Sequence, residues 1–166
     1  AKRLLAGLPA DCTARQFALY QPADILETLA QNSGQDAAVL YSGDTGFYSG
    51  ASGLLTPLRA LGIPARVYPG VSSIQLLSAA LGRPWQDWKL VSAHGCACDP
   101  VAECMMNRSV FFLTGGTETP ASLCQKLTDA GMGEAHGVVG ENLGTEAEAI
   151  RYGSAAELAG QSFAPL

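Results

Sequence analysis

The sequence predicts an α/β protein in which strands and helices alternate. Apolar runs of about four to six residues end in glycine-containing loops, and longer segments with helical periodicity follow them. Glycine accounts for 19 of the 166 residues without any G-X-Y repeat, so we expect the glycines at particular turns and close approaches of the backbone. The 48% of hydrophobic residues against 15% of charged residues can form a real core.

The elements of the first half follow from local signals. Apolar Ile25 and Leu29 share one face of a helix, and Gly62 stops a second helix. A serine, which is a preferred N-cap, opens a third helix that Gly82 closes. The predicted elements are helices at residues 22–32, 51–61 and 72–81 and strands at residues 37–41 and 65–68.

A proline and two tryptophans interrupt this pattern at residues 82–88, which are the predicted domain boundary. The predicted domains are therefore residues 1–83 and 84–166. Pro120 suits the first position of a later helix. The elements predicted for the second half are strands at residues 89–92, 109–113, 136–140 and 149–152 and helices at residues 119–130 and 154–158.

Charge and composition exclude several classes of partner. A net charge of −5 repels a phosphate backbone, so nucleic acid is not expected as a partner. No apolar run approaches the ~18 residues of a membrane helix, and the N-terminal residues lack a secretory signal. We therefore expect a soluble, cytoplasmic protein without membrane contact.

The motifs that would carry a nucleophile or a metal are absent. The sequence has no phosphate loop, no serine-hydrolase elbow and no zinc-protease motif. Cys96 and Cys98 form a C-x-C pair near Cys104, but the second half of a zinc site is lacking. We expect free thiols and no metal, and any chemistry should use a cofactor that already carries the reactive group.

Residues 41–50, which read YSGDTGFYSG, follow a predicted apolar strand. Ligands of open α/β sheets bind at the carboxyl ends of strands, where Gly43 and Gly46 allow close approach and Asp44 offers a carboxylate. A plain turn that uses glycine and aspartate for their turn chemistry accounts for these residues equally well.

Other polar residues also lie at predicted strand ends. Ser72 and Ser73 open a helix, where their hydroxyl groups bind a carboxylate or ribose or merely cap the helix. Glu141 can hold an ammonium group or fix a loop. His94 lies in a loop setting that permits general acid–base work or a hydrogen bond to an acidic ligand.

The order of these motifs resembles the tetrapyrrole (corrin/porphyrin) methylase family along nearly the whole chain. The matching runs are VLYSGDTGFYSGASGLL, VYPGVSSIQLLSAALGRPWQDWKLVSAHG, VFFLTGGTETPASL and VVGENLGTEAEAIRYGSAAELA. The resemblance implies two α/β domains, each a sandwich around a mostly parallel or mixed sheet, with a cofactor cleft between them. The loops at residues 43–49, 71–73 and 140–144 should face that cleft.

The resemblance also implies the chemistry. The cofactor would be S-adenosylmethionine, with S-adenosylhomocysteine as product, and the substrate a tetrapyrrole, namely a cobalt-precorrin of cobalamin biosynthesis. A homodimer is implied, with a C15-methyltransferase and decarboxylase as a further partner or fused domain. The implied cofactor-binding residues are Gly43, Asp44, Phe47, Tyr48, Ser72, Ser73, Thr114, Glu141 and Asn142. Asp44 and His94 are the catalytic candidates, because the loss of a proton or an electron reorganisation has to follow methylation of the ring.

The sequence departs from the family pattern at several positions. Members begin with a strand and a G-x-G-P-G loop, which do not precede Lys2, and continue with one more strand after a segment like residues 163–165. Both strands are therefore expected to be absent from these residues. Thr45 replaces a usual proline, and Cys96 replaces an arginine that often follows His-Gly, so the carboxylate contact of that arginine is not expected.

Two alternatives stay open on the sequence alone. The chain could methylate a different ring carbon, because the cofactor motifs identify the methyl donor and not the acceptor. It could also be a non-catalytic corrinoid- or nucleotide-binding module. A corrinoid carries many carboxylates, so Arg83, Lys89 and Arg108 are expected to offset the net charge of −5 locally.

Overall fold

The structure is a computed structural model that describes residues 2–164. The chain divides into two compact units, the first ending at Ser72 and the second beginning at Ser73. This division groups the helix after Ser72 with the second unit. The predicted boundary at residues 83–84 stays a prediction, and the place where the family's last strand is expected to be absent, after Pro165, lies outside the described residues.

In the first unit, two helices enclose a small apolar core. The described helices of this unit are α1 (Lys2–Ala6), α2 (Pro22–Gln31) and α3 (Ala51–Ala60). Helices α2 and α3 contact each other, and their buried Ile25, Leu54 and Leu58 form the core. The helices predicted at residues 22–32 and 51–61 are confirmed, whereas α1 was not predicted.

The glycine stops of two helices are confirmed. Gly62 follows α3 with a φ of 67°, and the N–H of Ile63 donates to the carbonyl of Leu58 at 3.0 Å. This hydrogen bond back to the last turn of the helix is typical of the Schellman motif, which needs a residue with left-handed backbone angles after the helix. Gly82, with a φ of 59°, ends helix α4 (Ser73–Leu81) in the same way.

Two apolar segments of the first unit do not form the strands predicted for them. Residues 37–41 and 65–68 belong to no strand, and Val39, Leu40, Val67 and Tyr68 are exposed. A strand exists only through hydrogen bonds to a neighbouring strand, and neither segment has such a neighbour within residues 2–72. The prediction is wrong here because an apolar run indicates a preference for burial but not the presence of a pairing partner.

Strand pairing organises the second unit. Strand β1 (Lys89–His94) pairs parallel with β2 (Val110–Gly115), and β3 (His136–Glu141) pairs antiparallel with β4 (Ala149–Ser154). Within the described residues these are two separate two-stranded sheets. All four strands lie where the sequence predicts them.

Capping residues position the helices of the second unit. Besides α4, the described α-helices of this unit are α5 (Pro100–Met106), α6 (Pro120–Leu127) and α7 (Ala155–Ala159), and a π-helix (Thr128–Met132) directly follows α6. Asp99 caps α5, and capping boxes open α6 and α7. Pro120 occupies the start of α6 as predicted, whereas α5 was not predicted. No helix among residues 2–164 is long and apolar enough to span a bilayer.

A cavity of about 570 Å³ lies within the second unit. Residues 110–114 of β2 and residues 136–140 of β3 line it consecutively. Successive side chains of a strand point to opposite faces, so consecutive lining residues place this cavity along the edges of β2 and β3. Each of these strands pairs along its other edge.

Candidate functional site

Asp44 holds the loop at residues 43–49 against the turn that precedes α4. Its Oδ1 accepts the N–H of Gly46 at 2.7 Å, and its Oδ2 accepts the N–H of Gly70 at 3.0 Å. Gly70 lies 26 residues further along the chain. Both carboxylate oxygens are thus occupied by backbone donors, which favours a loop-fixing role for Asp44 over proton transfer.

Ser72 reinforces the same junction from inside. Its side chain is buried, and its Oγ accepts the N–H of Asp44 at 2.7 Å. Gly43 has a φ of 74°, and a Cβ added there would lie 2.7 Å from the Oγ of Ser72. A Cβ on Gly70 would overlap the carbonyl oxygen of Gly43. These glycines therefore allow the two loops to meet.

Phe47 and Tyr48 are the aromatic residues of this loop. Their ring centroids are 4.8 Å apart in an edge-on arrangement, and Tyr48 is 51% exposed. Tyr48 also has a φ of 46°. Positive φ values are uncommon for bulky residues, and residues with such backbone angles occur preferentially at functional sites. The loop therefore presents an aromatic surface on a backbone that Asp44 and Ser72 hold in place.

His94 and Thr114 lie at the adjacent carboxyl ends of β1 and β2. The Nδ1 of His94 is 3.3 Å from the carbonyl oxygen of Thr114, and the His94 side chain is exposed. Thr114 and Ser73, the first residue of α4, both line the cavity of the second unit. Three of the predicted site residues thus belong to the strand ends and cavity wall of one unit.

Glu141 fastens the end of β3 to two other segments. The Nε of Arg151, on β4, donates to its Oε2 at 2.5 Å, and the N–H of Ala164 donates to its Oε1 at 2.7 Å. The Ala164 N–H and the Arg151 guanidinium lower the pKa of Glu141, although its burial acts in the opposite direction. This arrangement is the loop-fixing alternative that the sequence left open.

Asn142 follows with a φ of 49°, and its side chain is exposed. Its carbonyl accepts hydrogen bonds from the N–H and the hydroxyl group of Thr145, which closes the turn after β3.

The loop at residues 43–49 and Ser72 meet within the first unit, whereas residues 140–144 belong to the second. The convergence of all three loops on one cleft stays a prediction.

All five cysteines are free. Burial raises the pKa of the Cys98, Cys104 and Cys124 thiols, so they are protonated and poorly nucleophilic at neutral pH. Cys96 is exposed.

Sequence reasoning missed three residues that organise these sites. The N–H of Gly70 donates to the carboxylate of Asp44, Arg151 forms an ion pair with Glu141, and Gly115 lies against the ring of His94. No local sequence pattern indicates a hydrogen bond between residues that are 26 positions apart.

The family model of the tetrapyrrole (corrin/porphyrin) methylases matches residues 4–159. The chain belongs to this family. The resemblance inferred from the sequence motifs is therefore confirmed, and the protein is classed with the methyltransferases.

Curated relatives of this family member carry more specific names. Cobalt-precorrin-7 C(5)-methyltransferase of Salmonella typhimurium is 33% identical over 153 residues, which are 91% of this chain and 74% of that protein. Precorrin-6Y C(5,15)-methyltransferase [decarboxylating] of Sinorhizobium sp. is 32% identical over 127 residues, which are 76% of this chain and 30% of that protein.

Solved structures confirm the α/β fold class. The precorrin-6Y methylase CbiE of Archaeoglobus fulgidus matches with a TM-score of 0.62 at 23% identity, and the match covers 96% of this chain and 76% of the CbiE chain. The methyltransferase CobJ has a TM-score of 0.61 at 20% identity over 83% of this chain. This tetrapyrrole methylase spans 65% of the CobJ chain, slightly less than two thirds.

Proposed function

We propose that this chain transfers a methyl group from S-adenosylmethionine to C5 of cobalt-precorrin-7, a corrin precursor of cobalamin biosynthesis. The observation that carries the proposal is the 33% identity to cobalt-precorrin-7 C(5)-methyltransferase over 91% of the chain. The finer parts of the proposal are the cofactor, the ring carbon and the residues that act.

The loop at residues 43–49 fits a cofactor with a flat base and a cationic centre. Half of the surface of Tyr48 is exposed beside Phe47, and aromatic rings stack on bases and attract cations through their faces. S-adenosylmethionine supplies, when bound, a methyl group that the sulfonium charge has already activated. Asp44 and Ser72 hold the loop that would bind this cofactor, and their polar groups are already engaged in the hydrogen bonds that do so.

The backbone of Gly43 and Asp44, with Phe47 and Tyr48, forms the proposed cofactor surface of the first unit. The proposed contacts from the second unit are Ser73, Thr114, Glu141 and Asn142. Glu141 contributes through the shape of its turn, because Arg151 and Ala164 already occupy its carboxylate. The chain aligns the ring carbon with the methyl group and excludes water, which are the main needs of such a transfer.

Proton removal is assigned to His94. A methyl group added to a ring carbon leaves positive charge on the macrocycle, and the loss of a proton relieves it. Both oxygens of Asp44 accept backbone hydrogen bonds, whereas the imidazole of His94 is exposed and bonds through Nδ1 among the described residues. The remaining ring nitrogen of His94 is thus the better proton acceptor.

Basic residues of the second unit meet the carboxylates of the substrate in this proposal. Arg83 and Arg108 are exposed, whereas the Nζ of Lys89 forms an ion pair with the Oε2 of Glu103 at 3.9 Å. A net charge of −5 repels a polycarboxylate at long range, so the two arginines act as local attraction.

A methyl-transfer assay with S-adenosylmethionine and cobalt-precorrin-7 tests the proposal, and NMR of the product locates the new methyl group. We expect methylation at C5. A methyl group at another carbon would overturn the assigned position. Corrinoid binding in calorimetry with no transfer would instead support the non-catalytic module.

The role of His94 has a matched control, because the chain contains only one other histidine, His136. His94→Gln should lower kcat by about 10²-fold, the ordinary contribution of a general base. His136→Gln should leave it unchanged. Equal rates for both variants would remove His94 from the reaction.

We also propose a cytoplasmic homodimer, because two small units gain from further burial. A C15-methyltransferase and decarboxylase is the proposed partner or fused domain. Light scattering that gave the mass of a monomer at micromolar concentration would contradict the dimer.

A further inference from the structure

The ring of His94 lies directly over a glycine on the neighbouring strand. His94 and Gly115 are register partners, each the last residue of its strand, β1 or β2. A Cβ built on Gly115 would overlap the Nδ1 of His94, and its other near neighbours would also be atoms of that ring. Only glycine at position 115 therefore lets the imidazole occupy this place.

The second contact of the ring determines where its proton resides. The Nδ1 of His94 lies 3.3 Å from the carbonyl oxygen of Thr114. A carbonyl oxygen can only accept a hydrogen bond, so Nδ1 has to carry the proton and donate it. The neutral ring then has its lone pair on Nε2. Free histidine in water favours the opposite tautomer, with the proton on Nε2, so this contact selects the less common form.

We infer that Gly115 is a positioning residue that, together with the Thr114 carbonyl, holds neutral His94 as its Nδ1–H tautomer and leaves Nε2 as the proton acceptor. The inference rests on the proposed methyl transfer only for the use of that acceptor. Nε2 takes the proton that the methylated macrocycle loses, and the electron pair of the broken C–H bond stays with the ring. His94 becomes an imidazolium ion, in which both nitrogens donate, so its bond to Thr114 persists.

The tautomer can be measured without substrate. A long-range ¹H–¹⁵N correlation spectrum, recorded where His94 is neutral, distinguishes a protonated Nδ1 from a protonated Nε2. We expect His94 of the wild-type chain to be protonated on Nδ1 and His136 to provide an internal reference. A His94 ring protonated mainly on Nε2 would overturn the inference whatever the activity of the protein.

Gly116 offers a matched control for Gly115. Both glycines have positive φ values, 151° and 72°, so alanine strains the backbone at either position. A Cβ on Gly116, however, would come no closer than 3.8 Å to any atom, the nearest being the backbone nitrogen of Gly95. Gly115→Ala should give a mixture of the two His94 tautomers. Gly116→Ala should leave the correlation signals of the His94 ring as they are in the wild type.

Kinetics then connect the tautomer to the reaction. Gly115→Ala should lower kcat at least about 10-fold with little change in KM, because a displaced base slows the step without weakening binding. Equal kcat values for the two alanine variants would refute the positioning role. If Gly115→Ala does not fold, the wild-type spectrum still decides the tautomer. If the wild type transfers no methyl group, the proposed function fails while the tautomer result stands.

Discussion

The two units of the chain solve the same folding problem in different ways. In the second unit, four apolar segments pair as β1 with β2 and β3 with β4. In the first unit, the comparable segments at residues 37–41 and 65–68 are exposed and pair with no strand among residues 2–72. Local composition is similar in both cases. The presence of a neighbouring strand makes the difference.

The first unit uses polar side chains where the second uses strand pairing. Asp44 accepts the N–H of Gly46 within its own loop and the N–H of Gly70 in the other, and Ser72 accepts the N–H of Asp44, so two of these three hydrogen bonds connect the two loops. Polar side chains such as Asp44 and Ser72 can fix a loop locally, but they leave the apolar segments at residues 37–40 and 65–68 exposed to solvent. The loop at residues 43–49 is therefore held by its own hydrogen bonds, and not by pairing of the apolar segments that were predicted as strands.

Hydrogen exchange gives the largest expected contrast between the units. The amides that pair β1 with β2 should exchange at least about 10³-fold more slowly than those of residues 37–40 and 65–68, since ladder amides open only with an unfolding free energy of several kcal/mol. The amide of Ile25 in α2 serves as a control that the first unit is folded. Equally slow exchange at residues 37–40 would mean that this segment is paired in solution.

Gly43→Ala tests the polar junction of the first unit. The added Cβ meets the Oγ of Ser72 and the residue has a φ of 74°, so we expect a loss of about 3 kcal/mol in unfolding free energy. Gly34→Ala is the matched control, because Gly34 has a φ of 86° but no atom within 4 Å of its added Cβ. It should lose only about 1 kcal/mol.

Urea unfolding of both variants measures this difference. Equal losses would show that the contact with Ser72 is relaxed at little cost. The affinity of folded Gly43→Ala for S-adenosylhomocysteine adds a second reading. It should fall if the loop binds the cofactor, and an unchanged affinity would identify the loop as a plain turn.

Glu141 provides the corresponding test in the second unit. Its pKa is lowered in the folded chain, so the unfolded chain binds more protons as the pH falls. The stabilisation is therefore fully present above the ordinary glutamate pKa of about 4.3 and is lost as the pH falls through the lower folded value. Glu141→Gln should lose about 1 to 2 kcal/mol at pH 7, and this loss should shrink towards pH 3.

Glu146→Gln removes an exposed carboxylate from the neighbouring loop and is the control. Chemical unfolding of the three proteins at pH 7, 4 and 3 measures the effect. A loss for Glu141→Gln that stayed constant over this range would show that the ionised carboxylate is not what stabilises the end of β3.

Signals within a few residues allowed much of the fold to be predicted. Gly62 and Gly82 stop their helices because a left-handed residue closes a Schellman motif, and Pro120 begins α6 because it needs no N–H donor there. These effects act within one turn of a helix. The strands of the second unit were predictable because their apolar runs also find partners.

The details of the site depend on contacts that no local pattern encodes. The sequence predicts Asp44 in a loop, but its partner Gly70 is distant in sequence, so the sequence alone leaves its carboxylate available for catalysis or cofactor binding. Glu141 shows the same limitation, because Arg151 reaches it only through the antiparallel pairing of β3 with β4. The residue types were correctly selected, while their hydrogen-bond partners required the fold.

The place of β2 at the edge of its sheet has a consequence for handling the protein. The strand runs VFFLTG without a charged residue, and in the described residues it pairs along one edge only. Uncharged apolar edges of this kind promote strand-to-strand association between molecules. The net charge of −5 keeps molecules apart at neutral pH, but this repulsion vanishes near the isoelectric point of 4.9. Mildly acidic solutions should therefore favour β-rich aggregates that begin at this strand.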